Sequence, residues 1–322
     1  MAIPLTVIGQ EIVRYCGTST FAVGILGGVL NTLEFFSLRT FRESSCAFYL
    51  TIMAFSNIGC LGFSFSPLIM VALINIDVSN TSLFYCKFRR CMSQAFLGIS
   101  MTCLCLATID QYFATCAYPR WQRLCNIKLA HRLVIITALI WILHGIPYLM
   151  YFNLVLSSTT NTTTCTSTSS TFNYYRNYIF TIGIIGYLPI VIAGLFSLLA
   201  YRNIQQLAYR IVPLIRRDLD KQLTTMVLVQ VLVCVFTLTP YTTINAVVTS
   251  VNLTNDPITQ MKLQLVLNIT LVMYYLYFAS PFYLYLCVSE RFRRQFIHVL
   301  SKIFINFCKR PTIRVNQVIP EP

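Results

Sequence analysis

An isolated polar group, Asp110-Gln111-Tyr112, ends a long apolar stretch of this 322-residue chain. A carboxylate beside so much apolar sequence is costly to bury unless a partner satisfies it, and the neighbouring Gln111 carries no charge. The basic residues that follow are Arg120 and Arg123, which we expect to pair with Asp110. The alternative is that the carboxylate is simply hydrated where the apolar stretch ends.

No grouping typical of an active site or a metal centre is visible in the sequence. The three histidines, His131, His144 and His298, are scattered along the chain, and no metal-ligand spacing occurs. We therefore expect that the protein is not an enzyme and that it holds no cofactor or metal.

The elements that must position the polar residues are long apolar helices. Hydrophobic residues make up 56% of the chain and charged residues only 11%, about half the charge of a soluble domain. Seven stretches of about 20 or more residues can each cross a hydrocarbon layer of about 30 Å as a helix. The predicted spans are Ser19–Leu38, Cys46–Ile74, Met92–Ala117, Leu133–Phe152, Tyr178–Tyr201, Thr224–Val248 and Leu263–Val288. The expected fold is an all-α membrane protein, a bundle of seven transmembrane helices, because helices satisfy their own backbone polar groups in lipid.

The net charge of +14 is unevenly distributed between the loops, which argues against nucleic acid as a partner. Three quarters of the 24 Lys and Arg residues fall on one side, which the positive-inside rule assigns to the cytoplasm. The amino terminus is then outside and the carboxyl terminus inside, in the lipid bilayer of the plasma membrane. We expect N-glycosylation at Asn80, Asn161 and Asn252, whose sequons lie in the outer loops, and not at Asn268, which lies within the seventh span.

Two other classes of membrane protein are disfavoured. A retinal-binding protein needs a lysine inside the seventh span, but the nearest one, Lys262, lies at the outer edge of that span. A transporter is expected to show paired intramembrane charges, whereas Glu34 is the one acidic residue well inside a span and has no evident partner.

The segment after the seventh span is predicted to form an amphipathic helix on the inner membrane surface. Ser289 can cap this helix, and apolar residues such as Phe292 and Phe296 follow with helical spacing. Cys308 either is palmitoylated, which would add a second anchor, or is unmodified. The predicted organisation is an extracellular tail (1–18), a seven-transmembrane domain (19–288), the amphipathic helix (289–305) and a cytoplasmic tail (306–322).

One disulfide is expected among the 13 cysteines. Cys86 precedes Asp110 by a helical length of about 36 Å, so it lies at the outer face when Asp110 lies at the inner one. Cys165 is the one cysteine in the long outer loop, which is rich in Ser and Thr. A bridge between Cys86 and Cys165 would lie in the oxidising compartment and hold that loop over the third span. Cys16 has no evident partner.

These features together resemble the rhodopsin-like G-protein-coupled receptors, from Asn31 to Phe292. Besides the outer cysteine and the Asp-x-Tyr of the third span, Trp141 lies in the fourth span and Pro189, Pro240 and Pro281 lie in the fifth, sixth and seventh. The resemblance implies that an extracellular ligand activates a heterotrimeric G protein. By the same resemblance, the coupling and switch residues are Asp110, Gln111, Tyr112, Asp220, Pro281 and Tyr285. Polar residues inside the bundle are Asn31, Asn57, Ser100 and Ser280.

The chain departs from the family pattern at several switch positions. Gln111 replaces the Arg of Asp-Arg-Tyr, Asn57 replaces an Asp, and Thr237-Leu238-Thr239-Pro240 replaces Cys-Trp-x-Pro. A Gln111–Asp220 contact is weaker than an Arg–Asp pair by about 1 kcal/mol, so we expect measurable basal signalling. Because the amide of Asn57 has no charge, we also expect little effect of sodium on agonist binding. The alternative function is a seven-helix surface protein that binds a ligand without coupling to G proteins.

The ligand is not expected to be a cationic amine, because Ser93 stands where the amine receptors of the family have a carboxylate. The outer ends of the spans instead carry basic residues, namely Lys87, Arg89, Arg90, Arg176 and Lys262. Such a basic rim can receive an acidic or carboxyl-bearing ligand, although hydrated or lipid-facing arginines are the alternative. The predicted ligand pocket comprises Arg90, Ser93, Tyr241 and Tyr274, and the predicted ligand is a short peptide.

Overall fold

The computed structural model describes residues 5–37, 44–156, 163–207, 214–250 and 257–308. Within these residues, seven helices are long and apolar enough to cross a membrane. Several of these helices consist of consecutive segments. The first helix comprises Leu5–Ile12, Val13–Gly17 and Thr18–Ser37, the second comprises Ser45–Cys60, Leu61–Phe65 and Ser66–Ile74, and the third is Leu83–Thr115. The fourth helix comprises Ile127–His144 and Ile146–Tyr151, the fifth comprises Ser170–Tyr174, Tyr175–Tyr187 and Leu188–Leu207, the sixth is Leu214–Ser250, and the seventh comprises Pro257–Ala279 and Pro281–Val288. Every predicted span therefore contains a helix, and the all-α seven-helix fold is confirmed.

The first helix differs most from its predicted bounds, because it begins at Leu5 and not at Ser19. Its amino-terminal part, which was expected to be an extracellular tail, packs against the seventh helix. The approach is close at Gly9, where an added Cβ would lie 2.7 Å from Nδ2 of Asn268. Polar residues such as Glu11 and Arg14 interrupt the hydropathy of this stretch, and they form an ion pair with each other on the helix surface (3.6 Å).

The third helix lies at the centre of the bundle. It contacts the second, fourth, fifth and sixth helices, while the first helix packs between the second and the seventh. Ser82 caps its amino terminus by accepting a hydrogen bond from the backbone N–H of Tyr85 (3.5 Å). Side chains at both ends of this helix therefore face several neighbouring helices at once.

A β-hairpin covers one end of the bundle, in the loop that follows the fourth helix. Strand β1 is Phe152–Leu156 and strand β2 is Thr163–Ser167; they pair antiparallel, with Leu154 opposite Cys165. No hairpin was predicted for this Ser- and Thr-rich loop. The hairpin packs on Phe172, which belongs to the next helix and contacts Phe152 in a small core. The sequence of the two strands therefore lacks part of the apolar surface that stabilises them.

The seventh helix is interrupted and then turns into the amphipathic helix. It stops at Ala279 and resumes at Pro281, because proline has no N–H to continue the helical hydrogen bonds. Glu290–Cys308 forms the final helix, and Ser289 caps it by accepting a hydrogen bond from the N–H of Phe292 (3.2 Å). The sequence had predicted both this cap and the helix.

Candidate functional site

At one end of the bundle, Asp110 is held by a residue that the sequence did not point to. The hydroxyl of Ser45, at the start of the second helix, donates a hydrogen bond to Oδ1 of Asp110 (2.7 Å). Asp110 is buried, with 8% of its surface exposed, so a hydrated carboxylate does not describe its surroundings. Arg120 and Arg123, the expected partners, are exposed in the short helix and turn that follow the third helix.

Gln111 joins the third helix to the sixth helix. Thr224 donates a hydrogen bond from its hydroxyl to Oε1 of Gln111 (2.7 Å), and the two residues are only 3% and 2% exposed. The expected contact was with Asp220, whose side chain lies outside the described part of the structure. Residue 220 is four positions before Thr224 in the sixth helix. The observed contact between these helices is thus a neutral hydrogen bond in a dry environment.

The remaining switch residues lie on the fifth and seventh helices. The ring of Tyr112 contacts Phe196 of the fifth helix, with 5.5 Å between ring centroids. Pro281 begins the inner section of the seventh helix. Tyr285 is fully buried between Phe35 of the first helix and Phe292 of the amphipathic helix, with centroid distances of 6.2 and 5.9 Å. Asp110, Gln111, Tyr112 and Tyr285 therefore each contact a different neighbouring helix.

A second hydrogen bond to the sixth helix comes from the turn before the amphipathic helix. Ser289 donates a hydrogen bond to Oε1 of Gln222 (3.2 Å), which lies half a turn from Thr224. Among the described side chains, two neutral hydrogen bonds hold this end of the sixth helix: one from Thr224 to Gln111 of the third helix and one from Ser289 to Gln222.

The polar residues predicted inside the bundle are buried there, except for Ser280, which is partly buried. Ser100 donates a hydrogen bond to Oδ1 of Asn57 (2.5 Å), which links the second and third helices. Oδ1 of Asn31 is buried without a hydrogen-bond partner among the described residues, and Ser280 donates to the carbonyl oxygen of Tyr277 (3.2 Å). The oxygen of Asn57 that could approach a cation thus already accepts a hydrogen bond.

At the opposite end, a disulfide joins Cys86 of the third helix to Cys165 of β2, as the sequence had led us to expect. Asn80 supports the same strand, because its Oδ1 accepts a hydrogen bond from the backbone N–H of Cys165 (2.9 Å). The other two predicted glycosylation sites, Asn161 and Asn252, lie outside the described residues. So does the side chain of Cys308.

A cavity of about 430 Å³ opens below the hairpin, between the second, third, fifth, sixth and seventh helices. The four residues predicted to form a ligand pocket, Arg90, Ser93, Tyr241 and Tyr274, all line it. The rings of Tyr241 and Tyr274 lie 4.6 Å apart by centroid, and Ser93 is hydrogen-bonded to Ser64. The volume falls within the range of small-ligand pockets.

The structure also identifies residues that the sequence did not single out. They are Ser45, Thr224 and Gln222, which form hydrogen bonds with Asp110, Gln111 and Ser289. Each of these partners is distant along the chain; Thr224 and Gln111, for example, are 113 residues apart. Helical spacing indicates which face of a helix is polar, but it does not indicate which helix that face meets. Only the packing of the bundle determines these pairs.

Comparison with protein families agrees with this arrangement. The family described as 7 transmembrane receptor (rhodopsin family) matches residues 33–295, which is more than half of the chain. A search of curated proteins gave no significant match. The matched range contains the disulfide, the cavity and Asp110-Gln111-Tyr112, and this family consists of multi-pass plasma-membrane receptors. The chain therefore belongs to the rhodopsin family of seven-transmembrane receptors.

Proposed function

We propose that this receptor converts the binding of an extracellular ligand into activation of a heterotrimeric G protein. The observation that carries the proposal is the course of the third helix. Arg90 and Ser93 line the cavity, and Gln111 contacts the sixth helix about 30 Å further along the same helix. A ligand that binds better to one arrangement of the helices shifts the population toward it, and a continuous helix links the two ends.

The orientation and the ligand are part of the same proposal. The amino terminus and the cavity face the outside, the carboxyl terminus faces the cytoplasm, and the ligand is a short peptide. The distribution of Lys and Arg supports the orientation. The disulfide lies at the same end of the bundle as the cavity, and it supports an outer location of that end because disulfides persist in oxidising compartments.

Nucleotide exchange on G proteins tests the coupling. In membranes that contain the native receptor, we expect exchange above that of membranes without it, because a neutral Thr224–Gln111 contact holds the sixth helix only weakly. Gln111→Arg places a cation at the contact with Thr224 of the sixth helix, where the family resemblance predicts Asp220 as its partner. We expect basal exchange to fall roughly fivefold for a gain of about 1 kcal/mol from that pair. Gln206→Arg is the matched control, because it adds the same charge at an exposed position of the fifth helix.

The contrary outcomes are separable. If basal exchange is unchanged in both Gln111→Arg and Gln206→Arg, then a weak Thr224–Gln111 contact does not explain the basal signalling. If no G protein shows exchange with any variant, yet the purified protein is stabilised by a ligand, the protein is a surface binding protein that does not couple. The replacement of the family arginine by Gln111 is the observation that favours this second function.

A further inference from the structure

Two consecutive arginines of the third helix reach the same cavity from different directions. Arg89 and Arg90 are separated by about 100° around the helix axis, yet both line the cavity. Arg89 is only 6% exposed. Arg90 points toward the hairpin, with its guanidinium carbon 5.3 Å from the ring centroid of Phe152.

Neither guanidinium has a hydrogen-bond or ion-pair partner among the residues that the structure describes. The Nε atoms of Arg89 and Arg90 are both buried without a hydrogen bond. The ion pairs in the described part of the chain, Arg14 with Glu11 and Arg294 with Glu290, do not include them. A buried cation without a hydrogen-bonding partner is unfavourable, so this arrangement favours binding of an anion.

The surroundings add positive charge and little negative charge. Arg176 lies over the same ring of Phe152, at 5.4 Å, and it is close enough to repel Arg90. No acidic side chain lines the described cavity. Asp77 is near enough to attract both Arg89 and Arg90, but it is engaged at the turn before the third helix, where its Oδ1 accepts from the N–H of Ser79 (2.9 Å).

The remainder of the cavity is neutral. Tyr241 and Tyr274 form an aromatic wall, and Gln94, Asn245 and Asn268 supply uncharged amide groups. Oε1 of Gln94 is buried without a hydrogen bond within the described structure, so it can accept one from a ligand N–H. The cavity is thus cationic at the arginines and aromatic or amide-lined elsewhere.

We propose that Arg89 and Arg90 bind a carboxylate of the ligand, while the tyrosines and amides contact its uncharged part. A guanidinium presents N–H donors in a planar fork that matches the two oxygens of a carboxylate. The carboxylate belongs to the free carboxyl terminus of a short peptide or to a small organic acid. This inference rests on the proposal that the cavity is the ligand site, but it does not require G-protein coupling.

The test is direct binding to the purified full-length receptor in lipid nanodiscs. Thermal unfolding is measured with a library of tetrapeptides that have free carboxyl termini, with the same library carrying C-terminal amides, and with a panel of small mono- and dicarboxylic acids. We expect a set of free acids to raise the melting temperature and the amides of the same sequences to fail. Stabilisation by the peptide acids identifies a peptide carboxylate, and stabilisation by the organic acids identifies a small acid.

Arginine variants locate the carboxylate site. With the acid that stabilises best, we expect Arg89→Gln and Arg90→Gln each to weaken binding by about tenfold or more, because each removes charge-assisted hydrogen bonds. Arg89→Lys and Arg90→Lys keep the charge but lose the planar fork, so we expect intermediate affinity. Lys128→Gln is the matched control, because it removes an exposed charge at the other end of the bundle without lining the cavity.

Several results would overturn the proposal. Equal stabilisation by acids and amides, or an equal loss of affinity with Lys128→Gln, would show that the arginines do not select a carboxylate. Full retention of acid binding in Arg89→Gln and Arg90→Gln would show the same. If either Gln variant fails to fold, the Lys variant at that position is used in its place. Unchanged affinity and an unchanged preference for acid over amide in that Lys variant would contradict recognition by the guanidinium fork. Acid binding without nucleotide exchange would leave the carboxylate site standing and contradict only the coupling.

Discussion

Gln111 stands where the family has an arginine, and this one difference changes the chemistry of the contact between the third and sixth helices. Gln111 accepts a hydrogen bond from Thr224 where an arginine would carry a full charge. The desolvation of an amide costs less than that of a guanidinium, and the attraction it can form is also smaller. The contact therefore holds the third and sixth helices together with a small free-energy difference between formed and broken states.

Removal of the Thr224 hydroxyl tests this contact. Thr224→Val leaves Oε1 of Gln111 buried without this donor, at a cost of about 1 kcal/mol or more, so we expect basal nucleotide exchange to rise roughly fivefold. Thr225→Val is the control, because the exposed Thr225 donates within its own helix to the carbonyl oxygen of Lys221 (2.8 Å). Equal basal exchange in both variants would show that the hydroxyl of Thr224 does not restrain the sixth helix.

Asn57 leads to a prediction about sodium. Its Oδ1 already accepts from Ser100, and an amide lacks the charge that attracts a cation into the membrane interior. We expect ligand binding to the native receptor to be nearly independent of sodium at constant ionic strength, with potassium as the replacement cation. Asn57→Asp should introduce an inhibitory effect of sodium. A strong sodium effect on the native receptor would contradict this account.

At the scale of helices, close packing is set by small residues opposite large ones. Gly98 of the third helix faces Trp141 of the fourth, and a Cβ at Gly98 would overlap the indole ring. The indole itself is held in place, because its Nε1 donates to Thr102 (3.0 Å) and its ring packs edge-on against Phe180. The tryptophan thus joins the third, fourth and fifth helices, and it has little freedom to move aside.

A pair of glycine variants measures that constraint. Gly98→Ala forces the third and fourth helices apart or displaces Trp141, so we expect a loss of about 1–3 kcal/mol and a melting temperature lower by several degrees. Gly194→Ala is the matched control, because a Cβ there meets open space in the described structure and alanine is the better helix former. A Gly98→Ala protein as stable as the Gly194→Ala protein would show that this interface adapts freely.

The two ends of the helix bundle carry different structural features. The disulfide, the hairpin and the cavity lie at one end, and Asp110 and the amphipathic helix lie at the other. Arg293 joins that helix to the bundle by donating to the carbonyl oxygens of Leu286 and Cys287, which the end of the seventh helix leaves free (3.0 and 2.9 Å). Ligand binding and coupling are therefore proposed for opposite faces of the membrane.

Epitope tags at the two termini test this direction. We expect an amino-terminal tag to be labelled by antibody on intact cells and a carboxyl-terminal tag only after permeabilisation, because the loops on the carboxyl-terminal side carry most of the Lys and Arg residues. A receptor that carries both tags on one chain supplies its own control for expression. Labelling of both tags on intact cells would refute the assigned topology.

The sequence alone determined the class of fold, because seven apolar stretches in a chain this poor in charge have no other stable arrangement in lipid than spanning helices. It also led to the Cys86–Cys165 pair and to the Ser289 cap, since a disulfide between outer segments follows from topology and a helix cap acts within a few residues. The first helix begins at Leu5, before the predicted start at Ser19, and this part packs closely against the seventh helix at Gly9.

Only the tertiary structure decided which side chains meet between helices. The partners of Asp110 and Gln111, and the burial of Arg89 beside Arg90, depend on the rotation and the crossing of helices that are far apart in the chain. Many rotations of a helix bury a similar amount of apolar surface, so composition and spacing leave these pairs open. The packing of bulky and small side chains, as at Trp141 and Gly98, selects one rotation and thereby the contacts on which the proposed function rests.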